Sequence, residues 1–171
     1  MNISRIVIVL SFILIGVFSR LLPHPPNFTA LNALALFGGL YFQNRWLSLI
    51  VVFSTLFFSD LIIGFHSTMP FVYLSFGLVT YLSDVCPTSN SSASLLLRTL
   101  CASLLFFVIS NFGVWLTDSF YVKNLSGLAF CYLAAIPFLA NQIAGDLIYV
   151  STLLFCVHLV EQYISKKKVV F

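Results

Sequence analysis

Residues Arg20 to Gly39 read R-L-L-P-H-P-P-N-F-T-A-L-N-A-L-A-L-F-G-G. They join two apolar runs and carry an Arg, a His, three prolines and two asparagines inside an otherwise oily chain. Pro23, Pro25 and Pro26 cannot continue a helix, and they push Leu22 and His24 towards extended backbone. The stretch therefore predicts a stiff, non-helical cap at a membrane edge, with a tightly packed helix after it over about residues 30–41. Non-helical backbone at membrane depth is tolerated only where protein buries it or where it lines a watery cavity. A cap closing over a bound small molecule is the working expectation.

The rest of the composition agrees with a membrane setting. The 171 residues are 60% hydrophobic and 8% charged, with a mean hydropathy of +1.06. Soluble domains carry about 25% charged residues. One bundle suits this length, and no polar linker divides it. The net charge of +3 does not call for nucleic acid. The one basic cluster, Lys166 to Lys168, ends an apolar run and reads as a cytoplasmic anchor. Cys86, Cys101, Cys131 and Cys156 show no metal-ligand spacing. Three of them sit in apolar runs as small hydrophobes, while Cys86 lies beside a loop. Residues 1–19 resemble a signal peptide, but no A-x-A-like site follows, so an uncleaved first span is expected.

A bilayer-crossing helix needs about 20 apolar residues. On that basis the fold class is all-α, a polytopic six-helix bundle. Its spans fall at about residues 6–22, 30–42, 46–64, 70–85, 94–116 and 138–163, with an extra helix at about 125–136. The second is short enough to sit deep among its neighbours. Pro137 separates the last two pieces; one long bent helix from Leu125 is the other reading. With the N-terminus inside, the inner segments hold Arg5, Arg45, Arg98, Lys166, Lys167 and Lys168, and the outer loops hold Arg20 and Lys123. That asymmetry places both termini in the cytoplasm.

In this register the intramembrane polar groups gather near the outer face. Arg20, His24, Asn27 and Asn32 lie at the outer ends of the first two spans, and Asp60 lies near the end of the third. Asn111 and Trp115, spaced i and i+4, share a face of the fifth, while Asn141 and Asp146 enter the sixth. Ionisable groups in a bilayer are costly unless paired or wetted, and so are usually functional. These nine are the candidate substrate-binding residues, with Arg20, His24, Asn27 and Asn32 as rim and the others as walls. Each also has a plainer role. Asp60 or Asp146 can pair with Arg20 to hold the bundle, Asn111 and Asn141 can bind helix to helix, and Trp115 suits an interfacial belt. His24, His66 and Asp60 are a conceivable metal set, without a recognised spacing. Gly145 and Ala140 with Ala144 allow a close helix approach, as do Ala35 and Gly39. No nucleophile, zinc or phosphate-loop motif is present, so neither an enzyme nor a cofactor is expected.

The segments P-N-F-T-A-L-N-A-L-A-L-F-G-G (26–39), S-D-L-I-I-G-F-H (59–66), S-N-F-G-V-W-L (110–116), C-Y-L-A-A-I-P-F (131–138) and G-D-L-I-Y (145–149) resemble an uncharacterised family of small six-span bacterial membrane proteins. That family is similar in turn to the substrate-binding S components of energy-coupling factor (ECF) transporters. The resemblance implies a receptor for a vitamin-like nutrient beneath the loop between spans one and two. It also implies docking on a transmembrane T component driven by two ATPase subunits. S components often use a small-residue motif on the first helix for that docking; here that helix carries Ser11, Gly16 and Ser19 without a small-xxx-small pair. A cell-shape-like scaffold of the inner membrane is the rival. It predicts a dry outer half with Arg20 and an acid closed as a pair.

Overall fold

The computed structural model describes residues 3–38, 44–85 and 92–168. The expectations for Gly39 and Cys86 fall outside them. Six helices follow in order: α1 (Ile3–Leu21), α2 (Leu31–Phe37), α3 (Arg45–Ile63), α4 (Met69–Val85), α5 (Ser92–Thr117) and α6 (Leu125–Lys168). Three contain stretches long and apolar enough to cross a membrane: Trp46–Ile63, Ala93–Thr117 and Leu125–Leu159. Ile6–Leu21 and Met69–Ser83 are apolar but shorter.

The expected second span is not a span in the described residues. At about 1.5 Å per residue, seven residues reach only about 10 Å, a third of a hydrocarbon core of about 30 Å. Helix α2 is instead the hub, with all seven residues buried. It touches each of the other five helices, which form an arc around it in the order α1, α3, α4, α5, α6. Among the described residues α1 and α6 do not meet.

Helix α3 shows how the bundle sorts its residues. Val52, Thr55, Leu56, Ser59 and Asp60 are fully buried, and their spacing forms one inward stripe. Ile50, Phe57, Leu61 and Ile62 point outward and are exposed. The helix thus turns an apolar face outward and small polar groups inward, and it is long and apolar enough to cross a membrane. Buried Thr80, Thr99 and Ser110 return their hydroxyls to the carbonyl four residues back, so each satisfies itself within its helix. Where small residues face inward, neighbours come close. A Cβ on Gly16 of α1 would lie 2.5 Å from Thr55 Cγ2 of α3.

Pro137 does not end a helix, contrary to the expected division at that residue: α6 runs unbroken through it for 44 residues. Proline removes one N–H and crowds the carbonyl four residues back, here that of Leu133, on an exposed side of the helix. The opposite face is buried on both sides of the proline, at Cys131 and Ala135 before it and Gln142 and Asp146 after it. Packing on α5 and α2 outweighs the lost hydrogen bond. Asn124 starts this helix, accepting from Gly127 N (2.8 Å) and Ser126 Oγ (2.8 Å), as an N-cap asparagine should.

Candidate functional site

The cap is ordered by its own sequence. Phe28 N donates to Pro25 O (3.0 Å), closing a turn with Pro26 and Asn27 at its centre. Asn27 has φ +64°. Proline followed by a residue in the left-handed region is the signature of a type II turn, and asparagine tolerates that region better than other non-glycine residues. Two contacts hold the turn down. Ala30 N donates to Ser19 Oγ on α1 (3.1 Å). Phe28 sits on Gly145 of α6, where an added Cβ would lie 3.1 Å from Phe28 Cα; its ring meets Tyr149 edge-on. The glycine at 145 thus admits the cap rather than the expected neighbouring helix.

A cavity of about 420 Å3 lies beneath, within the range of small-molecule sites of about 300–1,000 Å3. Its wall draws on the cap, α2, the α3–α4 connection, α4, α5 and α6. Six of the nine candidate residues line it: Arg20, His24, Asn27, Asn32, Asn111 and Asp146. Phe76, Phe106 and Phe138 supply flat apolar surface, and the rings of Phe76 and Phe106 lie 4.7 Å apart.

The other three candidates lie off the lining. Asp60 sits behind Arg20, fully buried. Its Oδ1 is 2.7 Å from Arg20 Nη1, and its Oδ2 accepts from Tyr73 OH on α4 (3.0 Å). Arg20 Nη1 also reaches Ser59 Oγ and, at 3.4 Å, Leu56 O. This is a clasp of α1, α3 and α4, the plainer of the two roles open to an acid here. Trp115 donates its indole N–H to Val122 O (3.0 Å). Lys123 lies over its ring, 5.8 Å from the centroid, and donates to the carbonyls of Trp115 and Asp118, capping the end of α5. Asn141 is turned about 100° from Gln142 on the helix, away from the inward face that carries Cys131, Ala135, Gln142 and Asp146.

Asp146 is 1% exposed and reaches into a second cluster. Its Oδ2 accepts from Asn32 Nδ2 of α2 (2.8 Å) and Ser103 Oγ of α5 (2.6 Å). Gln142 Nε2 donates to Ser103 O (3.3 Å). Gln142 enters the last span beside Asn141 and Asp146 in the sequence, yet it is not among the nine candidates. Its spacing from Asp146, i to i+4, puts the two on one face, and that signal was there to be read. Ser103 and Tyr73 had no such signal, because only tertiary packing brings them to their acids.

Neither histidine stands alone. His24 Nδ1 lies 2.7 Å from Pro25 O and its Nε2 lies 3.3 Å from Arg20 O. His66 Nδ1 lies 2.7 Å from Thr68 Oγ1. Among the described residues no three His, Cys, Asp or Glu side chains come together as a metal-binding group.

No curated protein and no solved structure matches the chain. A family model does match, over residues 1–168. By that match the chain belongs to a family of unknown function, DUF6580.

Proposed function

We propose that the protein is a membrane-embedded receptor for a small polar nutrient, the substrate-binding subunit of an ECF-type uptake system. One observation carries the reading: a cavity of about 420 Å3 under a turn-stiffened cap, walled by polar side chains from α2, α5 and α6. Polar groups inside an apolar bundle are costly, so a cluster of them around a void argues for something that binds there. In this reading the bundle sits in the bacterial inner membrane with the cap outside and both termini in the cytoplasm. A T component and two ATPases would drive release. The protein binds and delivers; it performs no reaction and needs no cofactor.

The test is thermal stabilisation of purified protein by a panel of vitamins, nucleobases and amino acids. A ligand at 100 times its Kd adds about 2.7 kcal/mol to the folded state. A saturable shift with one class supports the proposal; a flat response across the panel, with uptake unchanged in Asp146→Ala cells, rejects it. The closed Arg20–Asp60 pair is what a scaffold reading predicts. A scaffold has no use for the cavity beside it, however, and binding separates the two.

A further inference from the structure

The hydrogen-bonding inventory of the cavity wall is lopsided. Asn32, Asn111 and Gln142 all line the cavity, and each commits an amide N–H to the protein. Asn32 donates to Asp146 Oδ2 (2.8 Å), Asn111 to Phe107 O (2.8 Å) and Gln142 to Ser103 O (3.3 Å). A carboxylate or a carbonyl accepts and does not donate, so the nitrogen side of each amide must face it. The amide oxygens are thereby turned elsewhere. Asn32 Oδ1 and Gln142 Oε1 accept no hydrogen bond, although both residues are only 2% exposed. An unmet buried acceptor costs about as much as a lost hydrogen bond, and two on one cavity wall need a reason.

Several donors of the wall are already engaged, although Asn27, Thr29 and Tyr121 on its rim keep theirs. Arg20 is held by Asp60. His24 faces two carbonyl oxygens, His66 faces Thr68, and Ser110 donates to Phe106 O (2.7 Å). Asp146 is the one acidic residue lining the cavity, and its hydrogen-bonding neighbours, Asn32, Ser103 and Gln142, are neutral. A wall whose unmet buried atoms are two amide oxygens beside one carboxylate recognises a molecule that brings donors and positive charge.

We propose that the occupant is an organic cation bearing N–H groups, such as an amidinium, a primary ammonium or a protonated amino-substituted ring. Its N–H groups complete Asn32 Oδ1 and Gln142 Oε1, its charge is met by Asp146, and its flat part lies by Phe76, Phe106 and Phe138. This rests on the receptor reading above and narrows it to a substrate class.

The test uses four probes of one size on the purified full-length protein, read by ligand-dependent melting. Benzamidine has charge and N–H donors, benzyltrimethylammonium has charge alone, benzamide has donors alone, and benzoate has the opposite charge. Benzamidine should bind tightest, at least about tenfold ahead of the others, since one hydrogen bond to a charged group is worth about that factor. Asp146→Asn should weaken benzamidine about 100-fold. Gln142→Met should weaken it about tenfold while leaving the melting point of the free protein unchanged or higher, because an unmet acceptor goes with the side chain. If Asp146→Asn fails to fold, the probe ranking on the unaltered protein and Gln142→Met still decide.

Benzoate or benzamide binding as well as benzamidine would overturn the substrate class and leave the receptor reading standing. Equal binding of benzyltrimethylammonium would overturn the role of the two amide oxygens. Silence from all four probes and from the nutrient panel would remove the receptor reading, and this proposal with it.

Discussion

Asp60 and Asp146 are both buried, at 0% and 1% exposure, and they keep different company. Asp60 has a cation at 2.7 Å and a tyrosine hydroxyl at 3.0 Å, and it lies behind the cavity wall. Asp146 has an amide and a hydroxyl, and it lies on the wall. The first joins three helices and offers nothing to a visitor. The second joins α2, α5 and α6 but keeps unmet acceptors beside it. Burial alone does not separate a structural acid from a binding one; its partners do. If this division is right, breaking each centre should fail differently.

The largest effect belongs to the clasp. Asp60→Ala leaves the Arg20 guanidinium in a pocket shaped for a counter-ion, with only Ser59 and Leu56 in reach. Removing one partner of a buried pair costs about 3–5 kcal/mol, whereas replacing both with apolar residues is often neutral. Asp60→Ala should therefore melt far below the parent, and the double variant Arg20→Met with Asp60→Leu should recover most of the loss. Failure of the double variant to recover would mean that Arg20 serves the cavity more than the clasp. Tyr73→Phe, which removes only the hydroxyl bond, should cost about 1 kcal/mol.

This division was half legible in the sequence. The prolines announced the cap, because φ-restricted residues act locally. The α3 and α5 spans announced themselves by length and apolarity. The gathering of Arg20, His24, Asn32, Asn111 and Asp146 around one cavity followed from their positions along the helices. Which acid Arg20 chooses could not be read, since residues 20 and 60 meet only through the packing of α1 on α3. The same holds for Trp115, whose indole turns to Val122, and for α2, whose described residues are too few to span and are wrapped by their neighbours. The unbroken passage through Pro137 also needed tertiary knowledge, because proline's local preference yields only when packing holds both halves of the helix.

A middle-sized effect comes from the cap's seat. Gly145→Val places side-chain carbons where Phe28 now lies, within about 3.1 Å of its Cα. Overpacking of this kind costs about 1–3 kcal/mol. The strain should be relieved by lifting the 25–29 turn, which carries no helix and packs through few groups. Ligand-induced stabilisation should fall more than the stability of the free protein does. Trypsin or thermolysin cleavage mapped by mass spectrometry should move to the cap. Equal losses in both readouts would show that the cap is part of the bundle core and not a cover for the site.

The smallest effect on stability, and the sharpest discrimination, is Asp146→Asn. The amide has the size of the acid and can still accept from Ser103 Oγ or Asn32 Nδ2 through its oxygen. Its new N–H group has an acceptor within the same cluster, since Asn32 Oδ1 and Gln142 Oε1 lack donors. The free protein should therefore change by less than about 1 kcal/mol, or gain slightly, because each newly made neutral hydrogen bond is worth about that much. The isosteric change at the other acid, Asp60→Asn, leaves Arg20 facing a neutral amide and should cost several times more. If the melting temperatures of the two variants fell together, Asp146 would be a second clasp. If Asp146→Asn stays near the parent and Asp60→Asn collapses, the two acids hold different offices in one bundle. The cluster at Asp146 is then free to be shaped by what it binds.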